Sequence, residues 1–165
     1  DYYASRGLGD VYKRQVMGHV LIDALEDAGY SIDDFDAVGA LTAASVPMVS
    51  AMIQAAASRG EDLDGFVMDF VYPSIKGPSI EGRRVVLLDA WLSEKSYVQT
   101  SSLVTLRNGN ELSLDFGIVE QLGAKVVAIA SLVGGGAKDI NVVNPSTGDE
   151  QTLPFIQVFD ESELR

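Results

Sequence analysis

At 165 residues, 47% of them hydrophobic and 22% charged, the chain has the size and balance of one ordinary globular domain. Its 24 acidic residues against 12 basic ones give a formal net charge of −12, which disfavours nucleic-acid and anionic-membrane partners. With no cysteine and a single histidine, His19, disulfides, thiolate chemistry and multi-histidine metal centres are excluded.

The cysteine-free composition fits a cytoplasmic protein. No apolar run approaches the ~18 residues of a membrane span, and no signal-peptide pattern is present, so neither a span nor export is expected. The segment RGLGDVYKRQ, Arg6–Gln15, resembles the translated adapter sequence found at the ends of metagenomic reads. Residues 1–15 are therefore expected to be a non-native or disordered segment, and 16–165 a single domain.

Val16, Met17, Val20, Leu21, Ala24, Leu25 and Ala28 recur at helical spacing, with Gly29 as a stop. His19 falls on the polar face of this helix, as a solvated histidine. A buried strand is expected over Asp36–Leu41, then the loop Thr42–Val46, then a helix over Pro47–Ser58. Proline suits a first helical turn, where its missing N–H had no partner. Met48, Ala51, Met52, Ala55 and Ala56 form the buried face of that helix.

Gly65–Val71 reads as a second strand, YPSIKGPSIEG as a turn region and Arg84–Asp89 as a third strand. Arg83 and Arg84 mark the solvated start of that strand, and EDLDG (61–65) is a surface turn. Residues 91–104 read as an insertion, with Trp91 packing it onto the body. A helix is expected over Asn110–Leu122, carried by Leu112, Phe116, Val119 and Leu122, with Gly123 at its C′ position. Lys125–Val133 is the most apolar strand, ended by Gly134–Gly136. Residues 141–152 are turn-rich, and Pro154–Phe159 makes a last strand.

Apolar strands alternating with amphipathic helices predict an α/β fold: a three-layer, mostly parallel twisted sheet flanked by helices. Ligands of such sheets bind beyond the carboxyl ends of the strands. That rule selects the loops after Leu41, after Val71 and after Leu88.

Those loops, in DAVGALTAASVP, FVMD with its Gly-broken loop, RRVVLLDA and TLRNGNELSLDFGIVEQLGAKVVAIASLV, resemble the type I phosphoribosyltransferases over about residues 16–135. Within that family the resemblance is to the orotate phosphoribosyltransferases. It implies transfer of phosphoribose from phosphoribosyl pyrophosphate (PRPP) to a pyrimidine base in a homodimer whose catalytic loop reaches the neighbouring subunit. Mg²⁺ is the implied cofactor, and it neutralises the pyrophosphate together with lysines. No residue of this chain is assigned as a metal ligand.

Position by position, Asp89 matches one member of the acidic pair that contacts the ribose hydroxyls, but Ala90 stands at the other. Thr105, Asn108, Gly109 and Asn110 match the 5′-phosphate loop at a helix N-terminus, where backbone N–H groups and the dipole favour an anion. Arg107 is placed to add a charge-assisted contact. Thr42 and Ala43 fall in the pyrophosphate loop, with Ala44 in place of a glycine and Val46 in place of an acid. Asp69, Phe70, Val71 and Tyr72 occupy the positions of the family's Arg-Lys pair and its following Lys and His. Lys76 is the one base nearby and, with Asp89, the candidate catalytic residue. The pattern leaves two functions open: an orotate phosphoribosyltransferase-like enzyme, or a non-catalytic paralogue binding PRPP or a nucleotide in a regulatory or assembly role. A third reading is a fold-only partner-binding subunit.

Overall fold

The computed structural model describes residues 2–69, 74–92, 106–107, 111–113, 117–144 and 147–164, with side chains from residue 15 onward in most of these. The chain enters through a 26-residue helix, α1 (Tyr2–Asp27). The helix read from Val16 thus begins at Tyr2, and the backbone of residues 2–15, expected outside the fold, continues it. Leu21, Ile22 and Leu25 form its buried stripe. At its end Gly29 takes φ +97, and the amides of Gly29 and Tyr30 return to the carbonyls of Glu26 and Leu25. This satisfies carbonyls that the last turn leaves orphaned.

Strand β1 (Ala37–Ala40) is buried at every position. A 3-10 turn over Ala43–Ser45 leads into α2 (Val46–Ser58), which buries Met48, Val49, Ala51, Met52, Ala55 and Ala56 as the period predicted. Gly18 on α1 lets the two helices meet closely, since a Cβ there would lie 2.1 Å from the Ala51 carbonyl oxygen.

Strand β2 (Asp64–Asp69) is followed by β3 (Ser74–Lys76), which returns antiparallel with Val67 opposite Lys76. Part of the expected turn region is therefore an edge strand. Strand β4 (Arg84–Leu92) runs three residues beyond Asp89. Trp91 and Leu92 pair with Val133 and Gly134, so the sheet absorbs the start of the expected insertion. Burying Leu92 completely is the physical gain from that extension.

The helix expected over 110–122 is corrected by the structure. Strands β5 (Leu106–Arg107) and β6 (Glu111–Ser113) pair antiparallel, and the one helical piece described there is α3 (Gly117–Glu120). The anion-binding helix N-terminus inferred after Asn110 is accordingly replaced by a strand. Strand β7 (Lys125–Gly134) matches expectation. The turn-rich reading of 141–152 does not hold: β8 (Asp139–Val143) and β9 (Glu150–Asp160) form an antiparallel hairpin. A 3-10 turn over Glu161–Leu164 closes the chain.

The strands form one nine-stranded sheet in the order β3-β2-β1-β4-β7-β9-β8-β6-β5. Its centre, β2-β1-β4-β7-β9, is parallel. The fold is thus a mostly parallel α/β sheet with flanking helices. Helices α1 and α2 cover one face, over Val38, Ala40, Val86, Leu88, Ala128, Ala130 and Ile156. The other face packs Leu41, Phe66, Leu87, Ile129 and Phe155 against Ile80, Leu112, Val119, Ile140 and Val142. There, among the described residues, α3 and the strands β6 and β8 complete the core.

At the amino ends of the strands, Arg84 pairs with Asp36 at 3.3 Å and Arg83 pairs with Asp64. Both arginines, read as a merely solvated start, tie β4 to its neighbours. Arg84 holds the Asp36 carboxyl below the usual carboxylate range through side-chain and backbone hydrogen bonds.

Candidate functional site

The chain leaves β1 toward β2 on one side and leaves β4 toward β7 on the other, so the switch point lies between β1 and β4. A crevice outside the carboxyl ends of these two strands is where such sheets bind ligands. Leu41 N–H still reaches the Leu88 carbonyl at 2.9 Å, and the next residues of each strand, Thr42 and Asp89, face each other there.

The Thr42 hydroxyl donates to Asp89 Oδ1 at 3.0 Å, and the Ala90 N–H donates to the same oxygen at 2.7 Å. Asp89 is only 4% exposed. Burial raises its pKa from 3.8 to about 6, while the hydrogen bonds from Thr42, Ala90 and the Trp91 backbone pull the other way. Desolvation wins because a buried carboxylate gives up water on all sides and receives a few donors in return.

The loop after β1 is held by Ser45. Thr42 N–H donates to Ser45 Oγ at 3.3 Å, and the Ser45 hydroxyl returns to the Thr42 carbonyl at 2.8 Å. Sequence reasoning passed over Ser45, although Thr-Ala-Ala-Ser has the Thr-x-x-polar spacing of a helix start. It also passed over a polar row. Asp89 on β4 lies opposite Ser131 on β7, which lies opposite Gln157 on β9. Each is a single polar residue inside an apolar strand, a signal legible in VVLLDA, VAIASL and FIQVF. Gln157 Oε1 accepts the Gly136 N–H at 3.0 Å, and a Cβ on Gly134 would sit 2.0 Å from that oxygen. The Gly134–Gly136 run thus makes room for Gln157 as well as ending β7.

Of the predicted site residues, Thr42 and Asp89 are brought together, with Ala43 in the adjoining 3-10 turn. Lys76 is not: it is exposed on β3, three strands from β4, about 14 Å at the usual strand spacing. Arg107 lies on β5 at the far edge of the sheet, opposite Glu111. Thr105, Asn108, Gly109 and Asn110 lie outside the described residues, as do Phe70, Val71 and Tyr72. His19 accepts from Arg59 Nε at 3.1 Å between α1 and α2, away from the crevice.

The resemblance implies Mg²⁺, and among the described residues the donors do not make up a resident ion's site. Among the described residues no three of His, Cys, Asp or Glu gather as a metal cluster. Asp89 offers one carboxylate whose Oδ1 is already doubly bonded, and Ala90 offers none.

The fold is that of solved phosphoribosyltransferases. Orotate phosphoribosyltransferase of Mycobacterium tuberculosis with inorganic phosphate superposes at TM-score 0.59 and 21% identity, over 92% of this chain and 73% of that one. The same enzyme in complex with PRPP gives TM-score 0.58 at 20% identity, over 92% of this chain and 75% of that one. These give the chain the type I phosphoribosyltransferase-like α/β fold. No protein-family model matches the sequence. The orotate phosphoribosyltransferase of Streptomyces avermitilis is 30% identical over 172 residues, 99% of this chain and 82% of that protein. The chain belongs to the orotate phosphoribosyltransferase family.

Among the described residues no helix is long and apolar enough to cross a membrane.

Proposed function

We propose that this chain binds PRPP, or a nucleotide carrying the same phosphoribosyl group, at the β1/β4 crevice, and that it transfers the group poorly or not at all. It acts as a cytoplasmic homodimer with a regulatory or assembly role, and Mg²⁺ arrives with the pyrophosphate of PRPP as part of the ligand. One observation carries the reading: the Asp89 carboxylate is turned into the protein by Thr42 and Ala90. A side chain so bonded and only 4% exposed stiffens the crevice more than it reaches for ribose hydroxyls. Ala90 supplies no second acid, and Lys76 stands three strands away. Losing one preorganised donor to developing charge costs roughly 3 kcal/mol of barrier, so these departures together suppress transfer.

The second reading, a competent orotate phosphoribosyltransferase, is favoured by 30% identity to such a protein across nearly the whole chain. Calorimetric titration with PRPP, with and without Mg²⁺, followed by addition of orotate and measurement of its absorbance, separates the two. Mg²⁺-dependent heat with unchanged absorbance is expected. Turnover at ordinary enzymatic rates establishes the second reading, and absence of PRPP heat removes both.

A further inference from the structure

One step beyond the polar row of Asp89, Ser131 and Gln157, the register sets Trp91 on β4 beside Val133 on β7, and Val133 beside Phe159 on β9. In-register residues of parallel neighbours project to the same face, so these three side chains form an apolar row across the carboxyl ends of three strands. Phe159 is 45% exposed, one of few large apolar side chains open to solvent among the described residues, and Trp91 and Val133 are half-buried. The Trp91 ring is fixed by its Nε1–H, which donates to Glu161 Oε2 at 3.2 Å. An aromatic shelf held in place by a hydrogen bond, two residues along β4 from Asp89, suits the flat face of a heterocycle.

Among the described residues, Glu161 brings its carboxylate against the shelf, accepting from the Trp91 ring. Glu161 opens the closing 3-10 turn, and Glu163 lies two residues further on. A ring bearing its own carboxylate meets repulsion there that an uncharged ring does not.

We propose that Trp91, Val133 and Phe159 form the base-stacking shelf of the site, and that the carboxylate of Glu161 selects an uncharged pyrimidine ring over one carrying a carboxylate. This rests on the phosphoribosyl-binding reading of the neighbouring crevice, which it deepens by naming the class of base.

Trp91 is the chain's single tryptophan, so its fluorescence reports on the shelf directly. Uridine 5′-monophosphate and orotidine 5′-monophosphate share the phosphoribosyl group and differ by the carboxylate on the ring. Titration of the full chain with each, at physiological ionic strength, is expected to give quenching by the first at a dissociation constant about tenfold or more below that of the second. Phe159→Ala, at an exposed position, weakens the uridine nucleotide about tenfold, the scale of one lost stacking face. Glu161→Gln narrows the gap between the two nucleotides. Equal affinity for the two, tighter binding of the orotidine nucleotide, or an unaltered affinity in Phe159→Ala overturns the shelf. PRPP binding in calorimetry without this discrimination sinks the shelf alone. Discrimination without any PRPP binding upholds the shelf and removes the PRPP reading.

Discussion

Asp89→Asn is the sharpest perturbation of the crevice, because it removes the charge and keeps an oxygen for Thr42 and Ala90 to address. In the folded protein burial raises the Asp89 pKa from 3.8 to about 6. The folded state therefore keeps a proton that the unfolded chain has released, and the resulting contribution to stability declines as pH rises through this interval. It is fully present below the unfolded pKa and gone above the folded one. A difference of about two units amounts to roughly 3 kcal/mol over the whole range, and about 1.4 kcal/mol between pH 5 and pH 7.5. Urea unfolding followed by Trp91 fluorescence at those two pH values measures it. Every other titrating group is common to both proteins and cancels in the comparison. The wild type is expected to lose about 1.4 kcal/mol more than Asp89→Asn on going from pH 5 to pH 7.5. Identical pH dependence in the two proteins, or a relative gain by the wild type, refutes the account of a desolvated carboxylate.

Three further outcomes are expected. Thr42→Val deprives a buried carboxylate of its hydroxyl donor and lowers unfolding free energy at pH 7.5 by about 1–3 kcal/mol, read by the same denaturation. Gly18→Ala improves helix propensity by about 1 kcal/mol, yet its methyl group lands 2.1 Å from a backbone oxygen of α2. Because backbone cannot swing aside, the variant melts lower, with a net loss of about 1–3 kcal/mol. Lys76→Ala changes calorimetric PRPP affinity less than about twofold, since two strand spacings to β1, about 10 Å, exceed the Debye length of about 8 Å at physiological salt.

Elements with a local cause were legible in the sequence. The stripe Met48, Ala51, Met52, Ala55 announced α2, and the unbroken apolar run from Val126 announced β7. What escaped was structure decided at a distance. Leu112, Phe116, Val119 and Leu122 match a helical period, yet Glu111–Ser113 is a strand because it finds Asn141–Val143 to pair with. The same holds for β8 and β9. Asn144 and Gly148 gave that stretch a turn-like composition and did form the turn, the Asn144 N–H meeting the Asp149 carbonyl at 2.8 Å. The flanking residues, judged with them, were strands. At the site, Thr42 and Asp89 were each found from their motifs, but their bond joins residues 47 positions apart and depends on β1 lying beside β4. Trp91 was assigned to an insertion because its strand state comes from its place opposite Val133.

The β8–β9 hairpin also orders the events of folding. Its closing pair, Val143 and Glu150, is separated by a short loop, so it is among the cheapest contacts in the sheet to form. Strand β6 pairs on one side with β8, and β5 pairs with β6. The β5–β6 pair closes a shorter loop still, so it too is local, and it joins the sheet through β8. The parallel pairs β1–β4 and β4–β7 must meanwhile close long stretches of chain, which makes them slow. In a refolding experiment with pulsed amide exchange, Ile140, Val142 and Leu153 gain protection before Val38 and Val86, whose strands meet only after a long loop closes.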